Sequence, residues 1–293
     1  MKKNMLTLLF AGVLAASLTA CGSKVEETNA APTTAVSTET EATEAKETEA
    51  EAANEADIEM SGTFTVGFDQ EFPPMGFVGD DGEYTGFDLE LAQEVAKRLG
   101  LDYVPQPIAW DAKDMELESG TIDCVWNGFT MNGREDSYTW TTAYMDNSQV
   151  FVVAVDSGIA SLDDLAGKIV EVQADSSAEA ALKDKPELAD TFAVLQTTPD
   201  YNTAFMDLEM GAVDAIAMDV IVAGYQLEQR GESEQFVILE ETLASEEYGV
   251  GFKKGNEELR DKVQAALEDM AADGTMEQIS NKWFGVDVTT IGK

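Results

Sequence analysis

Apolar and polar residues alternate through GTFTVGFD (62–69), a period of two that predicts a strand ending at Asp69. The period then changes. In GFDLELAQEVAKRLG (86–100), Leu89, Leu91, Ala92, Val95, Ala96 and Leu99 fall on one helical face, and Gly100 supplies a C-terminal stop. LDYVPQPI (101–108) predicts a second strand, DAKDMELESG (111–120) a short helix and TIDCVWNGF (121–129) a third strand. The same rhythm restarts at GKIVEVQADSSAEAAL (167–182) as strand, loop and helix. It continues through TFAVLQ (191–196, strand), DYNTAFMDLEMG (200–211, helix), VDAIAMD (213–219, strand) and VIVAGYQLEQRG (220–231, helix). EEYGVGFKKG (246–255) reads as a strand and residues 256–285 as terminal helices. This alternation implies an α/β fold with largely parallel sheets. Its repetition implies two domains of similar build. Two apolar extended stretches, NSQVFVVAV (147–155) and EYGVGFK (247–253), flank the second unit and are candidates for the strands that cross between domains. The methionines of MDLEM (206–210) fall at helical spacing and are expected in the core.

The first sixty residues follow neither period. Lys2 and Lys3 precede an apolar run, MLTLLFAGVLAASL (5–18), which has the plan of an export signal and is short for a membrane span. LTACG (18–22) resembles the lipobox of bacterial lipoproteins, which implies a signal peptide at 1–20 and a lipid on the sulfur of Cys21. The competing reading is an ordinary secretory signal with an incidental cysteine. Residues 21–59 are rich in Thr, Ala, Glu and Ser and nearly free of large apolar side chains. Such a stretch cannot offset its ordering entropy by burial, so a disordered, acidic tether is expected there.

Charge and residue usage exclude several functions. With 18 Lys and Arg against 57 Asp and Glu, a net charge of −39, the chain is a poor candidate for binding nucleic acid. It has no histidine, which removes His-based catalysis and the commonest metal ligand, and no cofactor or metal is expected. Two cysteines, Cys21 and Cys124, are too few for a disulfide framework, and Cys124 within IDCVW suits a buried, inert thiol. No Gly-rich phosphate loop occurs, so any nucleotide chemistry would belong to a partner. Against this acidic background Arg134 stands out. It follows the small and hydroxyl-bearing residues of WNGFTMNG (126–133) beyond a strand, a place suited to receiving a small anion in a cleft.

From about residue 60 to 285 the chain resembles the amino-acid-binding proteins of ABC importers. The matching segments are VGFDQEFPPMGF, YTGFDLELAQEVAKRLG, TIDCVWNGFTMNGRE, LAGKIVEVQADSSAEAAL, MGAVDAIAMD, YGVGFKKGNEELRDKVQAAL and DGTMEQISNKWFG, in family order and spacing. The resemblance implies a two-lobed periplasmic-binding-protein fold, type II-like. Lobe 1 would be built from 60–148 and 247–287, lobe 2 from 149–246, with 288–293 as a tail and the ligand between the lobes. It also implies a monomeric, exported lipoprotein on the outer face of the membrane, which hands an amino acid to a permease and its ATPase.

The same resemblance places roles on residues. Arg134 would hold the ligand carboxylate through a bidentate fork, although a solvent-facing pairing with Glu135 or Asp136 is the plain alternative. The interval from Thr130 to Arg134 is one residue shorter than in many members. Asn127, Gly128 and Thr130 would contact the α-groups from one lobe, and Ser176 and Ser177 from the other, where serines also make ordinary helix caps. Asp219 would take the ammonium or, more simply, cap the following helix. Asp69 would meet the polar end of the ligand side chain or serve only as a turn aspartate. Phe72 and Trp110 would wall the side chain or belong to the core, Trp110 at a loop rim. A polar, basic or cystine-like side chain fits this set. The rival functions are a secreted dehydratase-like enzyme on the same fold, acting on a small carboxylate, and a ligand-sensing partner of a receptor.

Overall fold

The alternation in GTFTVGFD forms β1 (Thr63–Phe68), which buries Phe64, Val66 and Phe68. The computed structural model describes residues 62–231 and 235–293. The expected export signal, Cys21 and the expected tether through 59 lie outside the described residues. After β1 come three short strands the periodicity did not show, β2 (Glu71–Phe72), β3 (Gly76–Val78) and β4 (Tyr84–Thr85), which pair as a small antiparallel sheet. At two or three residues each they are too short to display a period.

Helix α1 (Phe87–Leu99) buries Leu89, Leu91, Ala92, Val95 and Ala96. It ends where Gly100 turns left-handed (φ 67) and Leu101 N–H reaches back to the Ala96 carbonyl at 2.9 Å. Then follow β5 (Asp102–Pro107), a 3-10 turn at Trp110–Ala112, α2 (Lys113–Ser119), β6 (Cys124–Val125) and β7 (Tyr138–Trp140). The strand expected across 121–129 is thus only two residues long, because the chain leaves the sheet at Trp126 to form the loop that matters below.

β8 (Met145–Ala154) leads into the second lobe. There β9 (Ile169–Gln173), α3 (Ser177–Lys183), α4 (Pro186–Ala189), β10 (Val194–Thr198), α5 (Tyr201–Glu209), β11 (Ala215–Asp219), α6 (Val220–Arg230) and β12 (Phe236–Ile238) follow. The chain returns on β13 (Ala244–Tyr248) to β14 (Gly251–Lys253), α7 (Glu257–Ala272) and α8 (Thr275–Phe284). The single strand expected at 246–255 is therefore two, broken at Gly249 and Val250.

Strand order is β5-β1-β6-β14-β7 in one sheet and β10-β9-β11-β8-β12 in the other. β1 runs parallel to β5 and β6, and β9 parallel to β10 and β11. The expectation of largely parallel sheets fails at two strands: β14 runs antiparallel to β6 and β7, and β8 antiparallel to β11 and β12. β8 and β14 follow β7 and β13 directly, with no crossover helix to bring the chain back in the same direction, whereas α6 joins β11 to β12 and those two strands run the same way. β8 and β13 pair with each other from Gln149↔Ala244 to Met145↔Tyr248, a two-stranded ribbon between the sheets.

Along β8, Val150 and Val152 join one apolar core while Phe151 and Val153 join another, the period of two of a strand buried on both faces. A third cluster of Trp110, Leu117, Ile122, Val125, Phe129, Tyr138 and Trp140 covers the other face of the first sheet. Cys124 is free, wholly buried and pushed well above the usual thiol range by that burial. Met206 on α5 and Met210 just after it are exposed, contrary to the core position their spacing suggested, because Tyr201, Ala204, Phe205 and Leu208 form the buried face of that helix. Residues after 287 pack back on the fold: Thr289 bridges to Met145, and Ile291 is buried.

Candidate binding cleft between the lobes

The C-terminal ends of four parallel strands point at one place. β1 delivers Asp69, β6 the loop from Trp126 to Thr130, β9 the turn from Gln173 to Ser177, and β11 Asp219. Between them lies a small cavity lined by Phe72, Trp110, Asn127, Gly128, Thr130, Arg134, Gln173, Ser176, Ser177 and Asp219. Nine of the ten residues picked out in the sequence line it. Asp69 does not, and Gln173, which sequence reasoning missed, does.

Arg134 is held by a turn. Thr130 pairs with Tyr248 of the crossing ribbon, Met131 N–H donates to the Glu247 carbonyl (2.9 Å), and Arg134 N–H closes on the Met131 carbonyl (2.9 Å). Its guanidinium lies over the Phe129 ring at 5.3 Å and donates to the Thr130 carbonyl at 3.2 Å and, across the cleft, to the Asp175 carbonyl at 3.4 Å. Among the described residues no carboxylate pairs with it, Glu135 and Asp136 included. A fork so placed retains capacity for an anion.

Asp219 occupies the N-cap position of α6 without capping it. Its Oδ1 accepts instead from Tyr248 Oη (2.6 Å), Asn147 Nδ2 (2.7 Å) and Gln149 Nε2 (2.8 Å). Glu246 Oε2 shares two of these donors, Gln149 at 2.9 Å and Asn147 at 3.1 Å, and also accepts from Thr130 Oγ1 at 2.9 Å. Two carboxylates therefore meet at the ribbon, one from β11 and one from β13. Burial, then the charge of Glu246, pushes Asp219 up to about 7. Burial likewise lifts Asp69 to about 6 and Asp88 to about 7.

These three acids bind protons more tightly folded than unfolded, so their contribution is fully present below about pH 4 and lost as pH rises through 6 to 7. Self-repulsion of the acidic chain acts in the same direction. The melting temperature of the ligand-free protein is accordingly expected to be higher at pH 5 than at pH 8. Scanning calorimetry across that range checks this, and a melting temperature that rises with pH would contradict it.

Gly128 is the backbone hinge of the loop, at φ 57. Its N–H is taken by the buried Asp88 Oδ2 at 2.6 Å, which Tyr144 Oη also meets at 2.8 Å, so this amide is not free for a ligand. A Cβ here would sit 3.0 Å from Phe72 Cε1 and 3.2 Å from the Tyr248 ring. Gly128→Ala is expected to destabilise by about 1–2 kcal/mol through backbone strain and to displace the Phe72 wall. Chemical denaturation and ligand titration of that variant measure the two effects.

Phe72 and Trp110 are at once core and wall. Phe72 packs on Tyr201 at 6.0 Å, and Trp110 meets Phe129 edge-on at 5.5 Å. Trp110 is buried in its 3-10 turn and not at an open rim. Ser176 caps α3 by accepting from Glu179 N–H (3.1 Å), and Ser177 Oγ accepts from Gln149 Nε2 (2.9 Å) and Thr130 Oγ1 (3.2 Å).

Contacts across the cleft close it around the cavity. Gln173 Nε2 donates to Asp69 Oδ2 at 2.7 Å, and Asn202 pairs with Glu71. Lys113, 1 % exposed, pairs with Asp175 and stands 5.1 Å from the Trp110 ring. Burial lowers the Lys113 pKa, and Asp175 partly restores it. Sequence reasoning also missed Asn147, Gln149, Lys113 and Glu246.

A cleft at strand ends between two α/β lobes joined by a two-stranded ribbon, with a cation on one side and a carboxylate on the other, defines a small-molecule receptor. The chain belongs to the bacterial extracellular solute-binding proteins, family 3, whose model matches residues 64–286. It is 35% identical over 235 residues to the L-cystine-binding protein TcyJ of Escherichia coli, covering 79% of this chain and 86% of that protein. It is 31% identical to the L-cystine-binding protein TcyA of Bacillus subtilis, covering 80% and 85%. Among solved structures, a substrate-binding protein of an ABC uptake transporter from Streptococcus pneumoniae with bound histidine superposes with a TM-score of 0.75 at 37% identity, covering 78% and 94%. These relatives are binding proteins of amino-acid transporters and not enzymes, and the chain is a binding protein of that family.

Proposed function

We propose that the protein captures an L-amino acid with a polar, basic or cystine-like side chain and delivers it to the permease of an ABC importer. The observation that carries this reading is the pair of opposite charges in one small cavity, Arg134 from the first lobe and Asp219 from the second. A free amino acid presents a carboxylate and an ammonium, and burying both is costly unless each meets a partner. Arg134 takes the carboxylate and Asp219 the ammonium, while Asn127, Gly128, Thr130, Ser176 and Ser177 surround the α-carbon. Phe72 and Trp110 flank the side chain, and Asp69 stands behind its tip. Since the two charges come from different lobes, only the closed form satisfies both. That difference is what shifts the open–closed equilibrium on binding. A micromolar dissociation constant corresponds to roughly −8 kcal/mol, within reach of two such pairings and two aromatic walls.

The relatives named for cystine and the structure holding histidine support an amino-acid ligand. A lipid on Cys21 and an acidic tether through 59 would hold the monomeric receptor at the outer face of the membrane, near the permease and its ATPase. A thermal-shift screen of the purified protein against the common amino acids and cystine tests the reading. A clear rise in melting temperature with one or two of them supports it, and no rise with any sinks it.

A further inference from the structure

We propose that Glu246, which does not itself line the cavity, is a positioning residue for the ligand ammonium: it takes the Thr130 hydroxyl proton and so turns the lone pairs of that oxygen toward the ligand. This rests on the cavity being an amino-acid site. Glu246 stands on β13, one of the two strands that cross between the lobes, and is buried. Its Oε2 is the hub of a network, with Thr130 Oγ1 and Gln149 Nε2 at 2.9 Å and Asn147 Nδ2 at 3.1 Å. Thr130 Oγ1 also lies 3.2 Å from Ser177 Oγ. A hydroxyl has a single proton to give. Of the two acceptors in reach Glu246 is the nearer and the charged one, so the Thr130 proton is drawn to it.

Asp219 is the ammonium's charged partner, and among the described residues its donors Tyr248, Asn147 and Gln149 all meet Oδ1, which leaves Oδ2 for a ligand. No cation among the described residues pairs with Asp219 or with Glu246. Two buried carboxylates thus share their donors without a counter-charge, and the ammonium supplies it. An ammonium N–H that reaches Thr130 Oγ1 completes a chain from N–H to O–H to carboxylate, in which each bond polarises the next. Without Glu246 the Thr130 proton falls to Ser177, a neutral and more distant acceptor, and the chain has no charge at its end. Asn147, Gln149, Glu246 and Tyr248 all belong to the two crossing strands, so the ribbon that joins the lobes takes part in reading the ammonium.

The test is calorimetric titration of the purified protein at about pH 8, where Asp219 is ionised. The probes are the tightest binder among the common amino acids and cystine, and its des-amino counterpart measured by displacement. That counterpart is imidazolepropionate for histidine, guanidinovalerate for arginine, glutaramate for glutamine and dithiodipropionate for cystine. Glu246→Ala is expected to shrink the advantage of the amino acid over its counterpart by about tenfold. Glu246→Gln keeps an oxygen for the Thr130 proton and should shrink it by about threefold or less. Thr130→Val, which removes the hydroxyl, should cost about tenfold of that advantage in the wild type but at most about twofold in Glu246→Ala, because residues that act through one another do not add. The ratio between the two ligands is the readout, so a general loss of affinity or stability does not imitate the effect. An advantage unchanged in Glu246→Ala, an equal loss in the alanine and glutamine variants, or a Thr130→Val loss as large without Glu246 as with it would overturn the proposal. If wild type binds no amino acid at all, the amino-acid reading itself has failed and this inference falls with it.

Discussion

Replacing Arg134 with alanine is expected to weaken amino-acid binding by about thirtyfold or more while leaving the fold intact. The guanidinium is the cation in the cavity lining, and its own contacts are backbone carbonyls at 3.2 and 3.4 Å and the face of Phe129. Loss of one partner of a buried, hydrogen-bonded charge pair costs about 2–5 kcal/mol, or roughly 30- to several-thousand-fold in affinity. Stability should change little, because the side chain is half-exposed and the turn is held by backbone bonds of Met131 and Thr130. Arg134→Lys keeps the charge and loses the fork, so it should fall between wild type and alanine. Calorimetric titration with parallel thermal melts separates the two effects. Binding within threefold of wild type in the alanine variant would place the carboxylate elsewhere.

The second large effect expected is a dependence of affinity on pH. Asp219 is raised to about 7 in the ligand-free protein, first by burial and then by Glu246. The groups facing it are Glu246 and Tyr248 from β13, Tyr201 from α5, and the neutral amides of Asn147 and Gln149 from β8. An ammonium set against Asp219 favours its ionised form, so binding at or below neutrality releases a proton. Affinity should therefore rise with pH up to about 7 and level off above it. Below that point it should fall by at most about tenfold per pH unit. Glu246→Gln removes the like charge and leaves the burial. Its pH profile should move to lower pH, with the Asp219 pKa still above the ordinary carboxylate range. Titrations in buffers of different ionisation enthalpy count the protons directly. An affinity flat from pH 5 to 8, or a Glu246→Gln profile that does not move, would contradict this account.

The parts of the site that were legible in the sequence have two sources. A lone arginine in the loop beyond a strand end drew attention to Arg134 from the residues themselves, whereas the Asn127–Gly128 pair and Asp219 were picked out through the family resemblance. Asp219 was ambiguous as a helix cap because position alone cannot say where a carboxylate turns, and here three donors from the ribbon and β11's neighbours turn it inward. Asn147, Gln149 and Glu246 were missed because they lie on the crossing strands, whose alternating polar residues look like an ordinary solvated edge. Lys113 was missed for a similar reason: within DAKDMELES nothing marks one lysine as buried, and its burial depends on Asp175, which is 62 positions away. Asp69 sits at the predicted strand end, but whether it or Gln173 meets the ligand is decided by a contact between lobes. No local pattern encodes that contact. The antiparallel strands escaped for the same physical reason, since the direction of β14 and β8 follows from the chain's path between lobes.

The most direct test of the central claim is to titrate the purified protein with its best amino acid and with two analogues of it, one lacking the α-carboxylate and one N-acetylated so that the ammonium is gone. If Arg134 and Asp219 each neutralise one α-group from opposite lobes, both analogues should bind at least about thirtyfold more weakly than the parent. An analogue that binds as tightly as the amino acid would contradict the pairing of charges across the cleft on which the account rests.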